Sequence, residues 1–138
     1  MADITATAAK IKLIDSVAYD KRSYIAVEAL TAGQAVYFTT AGKVGIADAN
    51  AAGKQQFRGI ALESVGAESA VSVLHSGEVE GFTLSGNADT RVYLSDTAGS
   101  LADSAGTMTV IAGRVVTRTN DAATKVLRVD TAWTTQWA

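Results

Sequence analysis

Two stretches of this chain share one grammar, and that repetition narrows the possible folds more than any single residue does. The first runs Val36-Tyr37-Phe38-Thr39-Thr40-Ala41-Gly42-Lys43-Val44, crosses a polar loop, and resumes at Phe57-Arg58-Gly59-Ile60-Ala61-Leu62. The second runs Val92-Tyr93-Leu94-Ser95-Asp96-Thr97-Ala98-Gly99-Ser100-Leu101 and resumes at Ile111-Ala112-Gly113-Arg114-Val115-Val116. Each has Val-Tyr, an apolar residue and a hydroxyl, then a turn at Ala-Gly, an apolar residue two positions on, a loop, and a strand entered through glycine. The alternative is chance, since small β proteins reuse Gly and Val freely. Taken as a repeat, residues 36–62 and 92–116 are two similar β-units of one domain.

The remaining segments alternate in the same way. Lys10 to Ile14 places Ile11 and Leu13 on one face and the lysines on the other, the period of a half-buried strand. Tyr24 to Leu30 favours strand over helix through its length and its β-branched Ile25 and Val27. Residues 47–56 form the longest polar loop and lack the apolar stripe of a core helix. A central hairpin is expected next. Ala70 to Ser76 puts Val71, Val73 and His75 on one face, Ser76-Gly77 turns the chain, and Glu78 to Leu84 returns with a phase slip at Gly81. A final strand, Lys125 to Asp130, groups Leu127 with Val129. The chain is all-β, a compact barrel or sandwich of about nine short strands with turn signals between them. Residues 10–131 form the single β-domain, preceded by an extended N-terminal arm at 1–9 and followed by a C-terminal tail at 132–138.

Composition agrees. A chain of 138 residues is one domain's worth. The 48% hydrophobic share is globular, but alanine inflates it. A core this thin in bulk would gain from a neighbouring chain. There is no proline, so the loops turn on Gly, Asn, Asp and Ser. There is no cysteine, which removes disulfides, thiolate metal sites and cysteine nucleophiles. Met1 to Thr5 has neither the basic nor the apolar region of a signal peptide. No run approaches the roughly 18 apolar residues of a membrane helix, so no membrane partner is expected. Net charge is −2. Lys10, Lys12, Lys21 and Arg22 are the only basic concentration, with Asp15 and Asp20 beside them. They read as a solvated face, and nucleic acid is not an expected partner.

Candidate chemistry is sparse. His75 is the only histidine. A Ser-His-Asp triad would need it beside Ser72 or Ser76, yet adjacent strand residues point to opposite faces. It reads as a surface or interface histidine on the hairpin. Glu78 and Glu80 share a strand face, a spacing open to glycosidase chemistry, but charges there also deter edge aggregation. Asp48, Asn50, Asp96, Asp103 and Asp121 lie in loops without a calcium-loop array. The glycines form no phosphate-binding pattern. No catalytic, cofactor or metal residue is assigned, and no enzyme activity is expected. Trp133 and Trp137 stand out in the short tail, placed to cap the domain or to dock on another chain.

In their order, several stretches resemble the head decoration, or capsid cement, proteins of tailed bacteriophages. They are Gly33 to Tyr37 leading to Gly42 to Ala47; Gly59 to Leu62; Val71 to Gly81; Val92 to Ser95 with Gly99 to Leu101; and Ile111 to Val115. They span roughly residues 30–118, and the strand at 125–130 fits the usual close. The resemblance implies a small β-barrel-like module on the outer capsid surface of the virion, assembled in the host cytoplasm. Such proteins bind expanded shells at three-fold positions, often as homotrimers, and bridge neighbouring major capsid subunits. They have no catalytic residues. Shell contacts often come from terminal arms, which by position here are Ile4, Trp133 and Trp137. The same fold class occurs in phage tail and fibre parts. Two other readings stay open: a carbohydrate-binding module stacking sugars on Tyr19, Tyr24, Tyr37 and Tyr93, and a hydrolase built on His75, Glu78 and Glu80.

Overall fold

A computed structural model describes residues 2–118 and 121–131. They are nearly all β, in one curled antiparallel sheet that forms a half-barrel. Its eleven strands are β1 (Asp3–Ile4), β2 (Lys12–Ile14), β3 (Asp20–Ile25), β4 (Ala35–Phe38), β5 (Val44–Ile46), β6 (Gly59–Ala61), β7 (Ala70–Glu80), β8 (Arg91–Leu94), β9 (Leu101–Ala102), β10 (Ile111–Arg118) and β11 (Asp121–Asp130), with one 3₁₀ turn at Ala8–Lys10. The expected all-β class holds. The strand count rises because β1 and β9 are two-residue pieces that alternation cannot signal.

The central hairpin does not form. Ala70–Glu80 is one continuous strand, and the chain does not turn at Ser76-Gly77. Ser76 is paired on both sides, with Asp20 and with Asp130. Val79 likewise pairs with Leu13 and Leu127, and Leu74 with Lys21 and Ile60. One edge of β7 therefore carries β2 followed by β3, and the other carries β11 followed by β6. A strand held along both edges has no room to reverse.

The expected phase slip at Gly81 holds, since Val79 and Phe82, three residues apart, share one apolar cluster and Gly81 takes φ +108°. A second slip lies at His75, beside Ser76-Gly77, which the pairing with β3 skips between Ser76 and Leu74. Leu74 and Val79 belong to one apolar cluster, whereas Val71 and Val73 belong to another. Strict alternation would put Leu74 and Val79, five residues apart, on opposite faces. Gly77 takes φ +133°, and a Cβ there would stand 2.7 Å from Cβ of Tyr19. The opposing strand shifts register between Asp20 and Lys21. This bulge lets one strand serve both clusters. The larger holds Phe57, Ile60, Leu94, Leu101 and Leu127; the smaller holds Leu30, Val36 and Val44.

The two sequence echoes fold alike. β4 pairs with β5 as a hairpin and takes β6 on its other side; β8 pairs with β9 and takes β10. Gly59 lies opposite Val36, and Gly113 opposite Val92. At both glycines the next strand comes close. A Cβ on Gly59 would be 2.5 Å from the Leu74 carbonyl oxygen, and one on Gly113 would run into that of Arg128. The turn glycines match too, with φ +79° at Gly42 and +80° at Gly99. The units also interlock: the Gly99 N–H donates to Ala47 O (2.7 Å), and the Ala35 N–H donates to Gly99 O (3.0 Å).

Residues 2–9 of the expected extended arm at 1–9 lie along this domain. Asp3 and Ile4 pair with Ala102 and Leu101, and Ala6 bridges to Phe82. The Thr7 N–H donates to Gly81 O at 2.9 Å. An edge left open by two-residue β9 is covered in this way, which satisfies backbone groups that would otherwise stay unpaired. No helix among the described residues is long and apolar enough to cross a membrane.

Candidate functional site

The one histidine is in the core. His75 is 1% exposed, a correction to its reading as a surface or interface residue. Its strand neighbours explain the error: His75 sits in a run of three consecutive buried residues and is the extra residue of the bulge, skipped by β3 between Ser76 and Leu74, where alternation fails. Nδ1 lies 2.6 Å from Arg58 O and Nε2 lies 2.6 Å from the Tyr24 hydroxyl. A carbonyl oxygen can only accept, so Nδ1 carries the proton and Nε2 accepts from Tyr24. The rings of Tyr24 and Phe38 both meet the imidazole edge to face. Burial pushes the His75 pKa down, outweighing the opposing pull of the Arg58 carbonyl bond. Burial raises the Tyr24 pKa. Arg58 is itself buried, donating to Phe57 O and Gln56 Oε1. Sequence reasoning missed this network, because nothing in Tyr24 or Arg58 marks them as partners of a residue 51 or 17 positions away.

The Glu78 and Glu80 carboxylates are taken up separately. Glu78 pairs with Arg128 and Glu80 with Arg118, each at 3.4 Å. Three of the loop aspartates hold backbone or side-chain donors, one in its own turn, one across its loop and one on the N-terminal segment. Asp48 accepts from the Asn50 N–H, Asp96 from the Thr107 N–H and hydroxyl, and Asp103 from the Ala2 N–H. Short loops without proline need such side-chain acceptors. Among the described residues, no three His, Cys, Asp or Glu side chains are grouped to hold a metal ion.

Ile4 is half-buried on β1 and packs against the larger apolar cluster. It also lines a cleft of about 210 Å³ with Ala6, Gln34, Phe82 and Leu101. Trp133 and Trp137 lie outside the described residues. The four tyrosines differ in exposure. Tyr19 is 44% exposed, whereas Tyr24, Tyr37 and Tyr93 are half-buried. Tyr24 is committed to His75.

A second recess, about 650 Å³, opens at the far end of β7. Lys10 and Lys12 line it from the N-terminal side and Lys125 from β11, with Ile11, Gly81 and Phe82 between them. Of the four residues in the basic concentration, two therefore reach this groove, joined by a lysine from the other end of the chain.

No family model, curated protein or solved structure matches this chain.

Proposed function

We propose that this chain is a structural protein of a bacteriophage particle that binds the outside of the head and stabilises it by bridging neighbouring major capsid subunits. It works as a homotrimer on the outer capsid surface, assembled in the host cytoplasm. The reading rests on the ordered succession of stretches from Gly33 to Val115. Its support is that these stretches build one sheet: two like three-stranded units and the long strand between them. Such a module gains from neighbours, since its buried core leans on Ala and Val. A symmetric shell offers many identical sites, and repeated modest contacts there add up through avidity. Ile4, Trp133 and Trp137 are the proposed contact residues.

Cosedimentation with expanded and unexpanded empty shells tests the idea. Binding to expanded shells is expected, and failure to bind either form overturns it. Trp133→Ala and Trp137→Ala should each weaken that binding by roughly 30-fold, the cost of losing an interface hot spot of about 2 kcal/mol. Ile4→Ala should cost less, because its side chain already packs on its own domain. Binding to isolated tails or fibres in place of heads would move the protein elsewhere on the particle.

A further inference from the structure

We infer that the groove at the end of β7 is a docking site for an acidic, extended protein segment. β11 pairs with β7 only from Leu127 to Asp130, while its pairing with β10 continues through Lys125 to Asp121. β7 itself ends at Glu80, and Gly81 and Phe82 turn toward the N-terminal segment, where Thr7 and Ala6 hold them. β11 thus runs past its neighbour, and the space where β7 would have continued is the groove. Its volume, about 650 Å³, falls in the range of roughly 300–1,000 Å³ found for ligand clefts.

The charge of the groove identifies the partner. Lys10, Lys12 and Lys125 line it. None of the three forms an ion pair with another described residue, whereas Arg22, Lys43, Arg114, Arg118 and Arg128 each do. Glu80 also lines the groove, but Arg118 neutralises it at 3.4 Å. The chain is acidic overall, net −2, yet the groove sets three lysines against one carboxylate, Glu80, which stands opposite Lys12 and is paired with Arg118, so the local sign is reversed. Complementary charge then selects an acidic partner and speeds its arrival. A nucleic acid fits less well. Its affinity comes from a long track of phosphate contacts, and this groove is short. Ile11 and Phe82 add apolar lining for a side chain of the segment, and an extended chain beside β11 is recognition by strand addition. The inference does not depend on the capsid reading.

The test uses the isolated full chain and fluorescence anisotropy. The probe is a labelled peptide of about eight residues alternating Glu and Val, a length that matches one strand. The comparators are the same peptide with Gln for Glu and a single-stranded oligonucleotide of equal charge. We expect the acidic peptide to bind, the Gln peptide to bind at least about tenfold more weakly, and affinity to fall with salt. Amide shifts should concentrate at Thr7–Lys12, Gly81–Thr83 and Lys125. The triple variant K10Q/K12Q/K125Q should lose about tenfold or more while keeping the wild-type urea midpoint. Should the triple variant not fold, Lys125→Gln alone gives the same reading at smaller amplitude. Equal binding of the Gln peptide, tighter binding of the oligonucleotide, shifts elsewhere, or no binding at all would overturn the inference. Shells take no part in this assay, so its failure leaves the capsid reading untouched.

Discussion

His75 shows how one residue's role follows from its surroundings. The ring is closed off from water, donates to Arg58 O and accepts from Tyr24. The charged groups that act on it are Asp20, Arg22 and Arg58. A second proton on the imidazole would turn its one acceptor into a donor facing the Tyr24 hydroxyl, in a site that already holds a buried guanidinium. Burial accordingly holds the folded pKa below the unfolded value of about 6.5. As pH falls through about 6.5 the unfolded chain takes up a proton that the folded chain refuses. Stability is therefore complete above that value and declines toward the lower folded pKa, at no more than about 1.4 kcal/mol per pH unit from this group. Urea unfolding at a series of pH values from about 8 to 5 checks it. The difference in stability between wild type and His75→Gln should shrink on acidification. A difference that stays constant with pH would show that His75 does not titrate in this way.

At the scale of elements, the repeat is geometric as well as textual. Each unit brings its entry glycine opposite the Val of Val-Tyr, with the next strand's carbonyl where a side chain would start. Gly113→Ala should therefore destabilise by about 3 kcal/mol or more, the upper range for overpacking against unyielding backbone. Gly42 has open space around it and only its positive φ to defend, so Gly42→Ala should cost about 1–2 kcal/mol. Urea midpoints of the two variants test the ranking, and an equal loss would contradict it. The repeat was legible because both copies keep the same turn and the same return strand. The long strand β7 was not. Ser76-Gly77 has the composition of a turn, and only its pairing with Asp130 and Val129 on one edge and with Asp20 on the other shows that it is continuous strand.

At the scale of the whole molecule, the sheet curls into a half-barrel. The proposed trimer predicts a mass in solution of three times the 14.2 kDa chain. Sedimentation equilibrium measures it directly, and a concentration-independent monomer would count against self-association. The groove at the end of β7 draws on both termini of the domain. Lys10 and Lys12 were visible as a basic concentration, but Lys125 lies far along the chain. The groove forms only because β2 and β11 flank the same stretch of β7, at Glu78 to Glu80 and at Ser76 to Val79.

The sequence alone determined the all-β class, the two like units and their turns, because strand alternation and glycine turns are local and are written within a few residues. It also determined what chemistry is unavailable to a chain with one histidine and no cysteine. Only the tertiary structure decided that β7 continues through Gly77, that His75 is buried between Tyr24 and Arg58, and that Lys125 joins Lys10 and Lys12. Each of these depends on which strands meet across long stretches of chain. Pairing and packing set those meetings, and no periodicity within a single segment encodes them.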